Sequence, residues 1–472
     1  MTSLSSCEKE KMNSIPYDLN KGALPTQQGA ELAALDLSRA ITLADSAFAH
    51  NFTGSNMKML RYYNPVTRTS NSETGSVWMY TSAIEATNSI LESLKDMQKQ
   101  VPELYAKNYE RYLGILADLY DGLEYYAGTY TLTSYTQTKE WTVYGVNRAN
   151  DKGTNDVTGV LNVYDDQQWL IRELLRSYKI TGNDAYLSKA EYLTAYVLDG
   201  WDCTPNANGE ENGGITWGPG YVTKHSCSNG PIVSPLVWLY EIYRGKADKI
   251  AYRKVDLDGK RYEVTQKKAD YYLDFAKKVY AWQKKWLKNA DGVYYDLIGA
   301  DGNGPAYETV DGVRYRKGLA LTTPNGTSYS YNSGTMLSGT ADLYRVTRIA
   351  DYLIDLRDLS EATFRVFAKP DAAHEGYYAY AVTGFNPWFN DVLMTGYVEA
   401  WQQATAALNG LKSFQANLDY AWANYLTAGT LPTNLLVGWS QTASNNKTEG
   451  MFAFAYASEY AMLANCQRKI NE

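Results

Sequence analysis

Two aspartates stand side by side at the start of a predicted helix, in the stretch "VYDDQQWLIRELLRSYKITGN" at 163–183. One acidic residue is enough to cap a helix, because its carboxylate accepts the free N–H groups of the first turn and suits the positive end of the helix dipole. A cap with a solvated neighbour is therefore one interpretation of Asp165 and Asp166. Proton-transfer chemistry is the other, because two close carboxylates leave one charged group and one protonated donor near neutral pH.

The helix that would carry this pair has one apolar side. Ile171, Leu174, Leu175 and Tyr178 recur at the 3.6-residue spacing of an amphipathic helix, and Gly182 is a typical stop. We therefore expect both aspartates at the open end of a helix that packs against a core.

The composition favours a neutral polar ligand. The chain has 472 residues, a formal net charge of −7 and no basic block, so nucleic acid is not an expected partner. It contains 42 Tyr and 12 Trp against 10 Phe. Tyr and Trp offer an apolar face with a hydrogen-bonding edge, which suits sugars, although many of them must simply pack between helices.

Several common kinds of site lack their motifs. His50, His225 and His374 lie far apart, and the sequence has no zinc-ligand spacing, P-loop, dinucleotide-binding glycine pattern or serine-nucleophile motif. The stretch "VDLDGKRYE" at 255–263 is interpreted as an Asp-Gly turn. We predict neither a metal site nor a cofactor.

The N-terminal stretch "LSSCEKEKMN" resembles a bacterial lipobox that ends at Cys7. Only six residues precede this cysteine, fewer than a signal peptide needs, so the interpretation requires a trimmed start. We expect residues 1–26 to form a tether and residues 27–472 to form a single domain. A lipid anchor on Cys7 would place the protein outside the cytoplasm, at the outer-membrane surface or in the periplasm.

Two further cysteines, Cys203 and Cys227, bracket one loop, while Cys466 stands alone near the end of the last predicted helix. In an oxidising compartment the first two could form a disulfide, and buried free thiols are the alternative.

Twelve helical segments can be read from the 3.6-residue periodicity. They are 27–50, 75–98, 102–127, 164–181, 184–199, 229–244, 266–288, 331–347, 349–368, 390–407, 411–426 and 449–467. They form pairs in which one helix carries charges along a face, as at 266–287, and the other is small and apolar on nearly all sides, as at 333–344. Because a helix that is apolar all round is buried all round, we predict an all-α (α/α)6 barrel with six inner and six outer helices.

Long loops interrupt the helical pairs at 200–228, 289–330, 369–389 and 427–448. Long loops without helices of their own are usually functional. Each precedes a predicted inner helix, so the four should gather on one rim of the barrel and form a cleft around Asp165 and Asp166.

The motifs "YDDQQWL", "GGITWGPGYVTKHSCSNGPIVSPLVWLYEIY" and "SYNSGTMLSGTADLYRVT" resemble, in this order, those of glycoside hydrolase family 76, the endo-acting α-1,6-mannanases. The resemblance extends over most of the chain from about residue 30. It implies a retaining hydrolase of α-mannan, with Asp165 as the nucleophile and Asp166 as the general acid/base. Retaining glycosidases hold their two carboxyl groups about 5 to 5.5 Å apart, which neighbouring residues with diverging side chains can reach.

Around the pair we predict Trp217 as a sugar platform and Asn229, Tyr331, Asn332 and Asp391 as hydrogen-bonding groups for mannose. Each has a structural alternative: Asn229, Asn332 and Asp391 could be helix caps, and Trp217 could pack the rim. Trp78, Tyr80 and Trp388 are either aromatic platforms farther along the cleft or core residues.

Two other functions stay open. A transglycosylase on mannose-containing glycans would need the same fold and the same acids, because fold does not fix function. A non-catalytic glycan-binding surface lipoprotein would have no need of adjacent acids. In each case we expect a monomer.

Overall fold

The structure is a computed structural model that describes residues 26–300 and 304–470. Its helices are α1 (Thr26–Asn51), α2 (Val77–Asp96), α3 (Pro102–Leu123), α4 (Tyr164–Thr181), α5 (Asp184–Asp199), α6 (Gly230–Tyr243), α7 (Lys268–Leu287), α8 (Ser330–Thr347), α9 (Ala350–Phe367), α10 (Asn386–Ala400), α11 (Thr405–Tyr425) and α12 (Gly450–Ile470). The segment that contains Cys7 lies outside the described residues, so the tether and its lipid anchor stay predictions.

The even-numbered helices form a closed inner ring. Each of α2, α4, α6, α8 and α10 packs against the next even-numbered helix, and α12 returns to α2. The odd-numbered helices pack outside them, as α5 does on α4 and α7 on α6. The (α/α)6 barrel predicted from the sequence is confirmed.

Small residues allow the inner helices to approach closely. A Cβ atom on Gly334 of α8 would lie 2.5 Å from the carbonyl oxygen of Val392 in α10, and one on Gly396 would lie 2.6 Å from the carbonyl oxygen of Gly334. Larger side chains would push the two helices apart. The small, apolar character of the sequence at 333–344 thus reflects this contact.

The boundary between α10 and α11 differs from the prediction. Helix α10 begins at Asn386 rather than 390, with Pro387 in its first turn, where the missing N–H of proline costs no hydrogen bond. It ends at Ala400, and α11 begins at Thr405. Asp391 therefore lies inside α10, and its interpretation as a helix cap is wrong.

Short strands connect the helices, and the helical periodicity gave no sign of them. They are β1 (Phe52–Thr53), β2 (Lys58–Met59), β3 (Tyr62–Asn64), β4 (Thr69–Ser70), β5 (Ala127–Thr133), β6 (Thr138–Tyr144), β7 (Lys224–His225), β8 (Lys249–Val255), β9 (Arg261–Lys267), β10 (Leu297–Ala300), β11 (Tyr307–Val310), β12 (Val313–Arg316), β13 (Leu321–Asn325), β14 (Lys369–Pro370), β15 (Tyr378–Ala379) and β16 (Thr448–Glu449). The Asp-Gly turn predicted at 255–263 joins β8 to β9, and Gly259 adopts the left-handed conformation there, with φ +78°.

Two small sheets tie the long loops together. Strand β10 pairs with both β7 and β13, which joins the loop before α6 to the loop before α8. Strand β16, directly before α12, pairs with β3, which precedes α2. Because these loops all lead into inner helices, they meet on one rim, where α4 also begins. In the part of the chain that the structure describes, no helix is long and apolar enough to span a membrane.

Candidate active site

Asp165 and Asp166 lie in the first turn of α4, and neither of them caps it. The helix begins at Tyr164, and its N-cap residue, Val163, has no capping side chain. The backbone N–H of Tyr164 instead donates to the carbonyl oxygen of Trp217, at 2.7 Å. This bond fixes the start of α4 against the loop that precedes α6. The cap interpretation therefore does not explain the pair.

The two carboxyl groups lie in different surroundings. Burial raises the pKa of Asp165 to about 7, while the Cys227 thiol, the Trp217 indole and the N–H groups at the helix start act in the opposite direction. Burial and the charge of Asp165 raise the pKa of Asp166 well above its usual range, and no donor offsets this rise. Asp165 is therefore the first of the two to lose its proton. Two carboxyl groups this close favour one charged and one protonated member over two charged ones.

The Cys227 thiol and, after it, the Trp217 indole are the side chains that distinguish Asp165 from Asp166. The Nε1 atom of Trp217 and Oδ1 of Asp165 are both buried, and neither forms a well-aligned hydrogen bond. The indole therefore acts on the carboxylate as a nearby N–H dipole. The Trp217 ring is half-buried and stacks on His225, with centroids 5.0 Å apart and planes at 21°. Tyr221 packs against it at 4.7 Å.

A buried ion pair holds the Trp217 loop. Lys224 and Asp202 are both completely buried, with Nζ and Oδ2 3.0 Å apart, and Nζ also donates to the carbonyl oxygen of Gly213. Gly214 has a φ of +76°, and a Cβ atom there would lie 2.3 Å from the Trp282 ring. The loop is thus fixed by internal contacts before any ligand binds.

Asn229 supports the same loop through hydrogen bonds to its backbone. It is completely buried; its Oδ1 accepts from the backbone N–H of Ile215, and its Nδ2 donates to the carbonyl oxygens of Ile215 and His225. These bonds occupy the amide. The structure therefore places Asn229 as a support of the loop rather than as a group free to contact a sugar.

Tyr331 and Asn332, in the first turn of α8, lie beside the pair. The Tyr331 ring stacks on Phe389 at 4.2 Å, and its hydroxyl contacts the thiol of Cys227, which in turn contacts Asp165. Asn332 donates from Nδ2 to Oδ1 of Asp296 at 3.3 Å, while its own Oδ1 is buried without a partner. Since the N-cap of α8 is Tyr329, Asn332 is not a cap.

The sequence analysis missed Asp296 and Cys227 as site residues. Asp296 lies directly before β10, and the pairing of β10 with β7 brings it to the loop that carries Cys227. Its backbone carbonyl accepts from the N–H of Ser226 at 2.8 Å. Burial raises the pKa of its carboxyl group, and the Asn332 amide lowers it. A strand of four residues that pairs with a distant partner leaves no periodic signal that could have found Asp296.

Asp391 does not join the Asp165 and Asp166 pair. It belongs to a group of buried acids on inner helices, together with Glu85 of α2 and Glu459 of α12, which we call the axial acid cluster. Both carboxylate oxygens of Asp391 are buried without a partner. Burial first, and then Glu85 and Glu459, raise the pKa of Asp391 well above its usual range. Its carboxyl group therefore holds its proton more strongly than an exposed aspartate does.

Glu85 gives this cluster a dependence on pH. Burial first, and then the nearby Glu173, raise its pKa to about 7, against the opposing effects of Arg176 and of the Nε1 hydrogen bond from Trp388, at 3.2 Å. Because the folded state holds this proton more strongly than the unfolded chain, the resulting stabilisation is complete below about pH 4.5. It is lost as the pH rises through 7.

We expect Glu85→Gln to lose less stability than the wild type between pH 5 and 7.5. The amide keeps an acceptor for Trp388 but does not ionise, and the effect should reach the order of 3 kcal/mol in the free energy of unfolding. Urea unfolding over this pH range measures it, with Glu103→Gln on the exposed side of α3 as the control. Parallel pH profiles for Glu85→Gln and the wild type would contradict the assignment.

The three predicted outer aromatics divide between core and cleft. Tyr80 is completely buried and its hydroxyl donates to the carbonyl oxygen of Leu119, so it is a core residue. Trp388 is also buried, with its indole bound to Glu85. Trp78 is partly exposed and packs edge to face on Trp388 at 5.1 Å. Among the three, only Trp78 keeps an accessible ring.

Cys203 and Cys227 are not joined by a disulfide. Both are buried free thiols, which overturns the possible bridge between them, and Cys466 is buried as well. Cys203 lies near Glu211 and Asp202, away from the contacts that Cys227 makes with Asp165 and Tyr331. No group of three or more His, Cys, Asp or Glu side chains within 26–300 and 304–470 is arranged to hold a metal ion.

Comparison with known proteins identifies the family. The model of glycosyl hydrolase family 76 matches residues 89–249 and 261–469, which is most of the chain. The chain belongs to glycosyl hydrolase family 76. The resemblance seen in the sequence motifs is confirmed, and the protein is a member of a family of glycosidases. No curated protein sequence matches the chain.

Solved structures of family 76 share the fold. A mannosidase of this family from Bacteroides thetaiotaomicron is 20% identical, with a TM-score of 0.66 over 92% of this chain and 99% of that one. An α-mannanase from the same organism is 16% identical, with a TM-score of 0.63 over 93% and 97%. An inactive α-1,6-mannanase variant from Salegentibacter sp. HEL1_6, in complex with α-1,6-mannotetrose, is 17% identical, with a TM-score of 0.61 over 91% and 99%.

Proposed function

We propose that the protein hydrolyses α-1,6-linked mannan at internal bonds with retention of configuration. The observation that carries this proposal is the pair of adjacent, buried aspartates at the start of α4, of which Asp165 loses its proton first. In the Salegentibacter α-1,6-mannanase, the variant that binds α-1,6-mannotetrose was inactivated by replacing two adjacent aspartates. A pair of this kind is therefore linked to activity in a protein of the same family.

In the first step, protonated Asp166 donates its proton to the glycosidic oxygen while the carboxylate of Asp165 attacks the anomeric carbon. The bond to the leaving sugar breaks, and a covalent glycosyl ester forms on Asp165. Asp166, now charged, takes a proton from water, and the resulting attack on the same carbon releases Asp165. Two inversions at this carbon give net retention.

The surrounding side chains supply the contacts for the sugar. Asn332 has an unpartnered Oδ1 next to Asp296, and the Tyr331 hydroxyl lies beside Cys227. Amide, carboxyl and phenol groups of this kind donate to and accept from sugar hydroxyls. Trp217 offers its ring next to the pair, so the proposed platform and the acids lie in one place.

The proposal is tested by incubating the protein with linear α-1,6-mannan, α-1,4-glucan and β-mannan. We expect only the α-1,6-mannan to be cleaved, with early products of intermediate length and with α as the first anomer seen by NMR. Release of mannose alone would reject internal cleavage. Products longer than the substrate would identify a transglycosylase, and binding without turnover would identify a glycan-binding protein.

We expect Trp217→Ala to lower kcat/KM on mannooligosaccharides at least about tenfold, equivalent to about 1.4 kcal/mol of lost transition-state binding. The melting temperature should change little, because the ring is only half-buried. Steady-state kinetics and thermal unfolding are the measurements. Trp217→Phe keeps an aromatic ring but removes the N–H near Asp165, which separates stacking from the dipole. A large loss of stability with unaltered kinetics would make Trp217 a packing residue.

A further inference from the structure

A cavity of about 670 Å³, including space open to solvent, lies on the rim at the start of α2. Its lining includes Arg61, Glu73 and Ser76 from the segment before α2, and Asn147 and Arg148 from the segment before α4. This volume is within the range of sites for small ligands. Neither Asp165 nor Asp166 lines it, so it is a separate feature of the rim.

The cavity and the aspartate pair lie at the starts of two neighbouring inner helices. Helices α2 and α4 are neighbours in the inner ring and begin at the same rim, and packed helices have axes about 8 to 10 Å apart. The backbone N–H of Val77 donates to the carbonyl oxygen of Val146, whose own N–H donates to Leu161, both at 2.9 Å. The segment that carries Asn147 and Arg148 is thus fixed between the starts of the two helices. The cavity and the aspartates are therefore on the same rim, at the starts of adjacent inner helices.

One wall of the cavity is fixed by ion pairs. Arg61 donates from Nε and Nη2 to the carboxylate of Glu449, and from Nη1 to Oε1 of Glu73. These contacts connect the strand β3 to the start of α12. The charge of Arg61 is thus neutralised by carboxylates of the protein. Oε2 of Glu73, on a side chain that is half exposed, remains available as an acceptor.

Arg148 and Asn147 add donor groups to the lining of the cavity. The Arg148 guanidinium lies over the Tyr125 ring at 4.0 Å and donates from Nη2 to the carbonyl oxygen of Asn56. Its Nε is too deeply buried for a ligand to reach, and among the described residues no carboxylate forms an ion pair with this guanidinium. The amide of Asn147, which is exposed, makes no side-chain hydrogen bond in the same part of the chain. A planar, oriented guanidinium loses little entropy when it binds a further acceptor.

We propose that this cavity is an additional binding site for a neutral sugar residue of the glycan chain, recognised by Arg148, Asn147 and Glu73. Donors and a carboxylate acceptor around one cavity match the mixed donor and acceptor character of sugar hydroxyls. The carboxylate of Glu73 disfavours an anion in the same space. The proposal rests on the proposed function, because it requires that the cleft binds a glycan.

The test compares kcat/KM on a long α-1,6-mannooligosaccharide with kcat/KM on an aryl α-mannoside too short to reach the cavity. We expect the ratio of kcat/KM on the long substrate to kcat/KM on the short one to fall at least tenfold in Arg148→Ala and severalfold in Asn147→Ala. Arg68→Ala is the control and should keep the ratio. Arg68 is an exposed arginine of the β3–β4 hairpin and does not line the cavity. The asparagine variant keeps the test valid if the loss of Arg148 harms folding.

An unchanged ratio in both variants, with normal cleavage of the long substrate by the wild type, would overturn the additional site and leave the proposed function intact. If the wild type cleaves no α-1,6-linked substrate, the proposed function fails and the additional site falls with it. Inhibition of the wild type by inorganic phosphate that Arg148→Ala relieves would identify an anion site and would also overturn the proposal.

Discussion

Asp165→Ala should lose nearly all activity, even on a mannosyl substrate with a very good leaving group, because the covalent intermediate cannot form without its carboxylate. Added azide should then attack the α-linked substrate directly and give the inverted β-mannosyl azide. Little of the fold should be lost, because the N-cap of α4 is Val163 and the aspartate makes no cap.

Asp166→Ala should behave differently, because its first step lacks only a proton donor. Natural mannan should be cleaved about 10² to 10⁴ times more slowly. An activated substrate needs no such donor and should still form the intermediate on Asp165, from which azide should release the α-mannosyl azide with net retention.

Reading the anomer of each azide product by NMR separates the two roles. Asp184→Ala is a matched control, because Asp184 also lies in the first turn of a helix, the outer helix α5; it should keep wild-type kinetics. Exchanged anomers would reverse the assignment of nucleophile and acid/base. Activity close to that of the wild type in either Asp165→Ala or Asp166→Ala would exclude that residue from catalysis.

Lys224→Met should cost about 3 to 5 kcal/mol in the free energy of unfolding. The substitution leaves the carboxylate of Asp202 buried without its cation, and an uncompensated charge in the interior is strongly destabilising. Burial lowers the pKa of Lys224 and the charge of Asp202 raises it again. Urea unfolding measures the loss, and kcat/KM should fall with it because the pair holds the loop that carries Trp217.

The double variant Lys224→Met/Asp202→Leu removes both charges and should recover part of the lost stability. Lys285→Met is the exposed comparison: Lys285 and Glu210 approach to 4.0 Å with both side chains about two-thirds exposed, and such pairs contribute about 0 to 1 kcal/mol. Equal effects of Lys224→Met and Lys285→Met would show that the buried pair does not hold the loop.

The sequence predicted the helices well because their signal is local. A buried face repeats every three to four residues, and glycine or proline marks the ends, so most of the helix bounds agree with the structure within about two residues. The start of α10 was misplaced because Pro387 was not recognised as a first-turn residue. With the predicted start at 390, Asp391 stood in the first turn of the helix and was interpreted as a cap rather than as one of the buried acids of the inner ring.

The site was only partly predictable for the opposite reason. Asp165 and Asp166 are adjacent, so a single stretch of sequence displays the whole pair. Asp296 and Cys227 lie close together only because β10 pairs with β7 across about seventy residues of chain. The sequence of neither segment indicates which segment it pairs with. Asn229 has the residue type of a ligand contact, but its bonds to the backbone of Ile215 and His225 depend on a loop shape that sequence does not reveal.

The closure of the inner ring between α12 and α2 has a consequence for folding. Helix α12 also covers α1, and Arg61 near the start of α2 binds Glu449 directly before α12. These contacts join segments that are nearly 400 residues apart, so their formation follows that of the pairs between neighbouring helices. During synthesis the sides of α1 and α2 that face α12 therefore stay uncovered until α12 has left the ribosome. Partly made chains should be the species that chaperones bind and that aggregate.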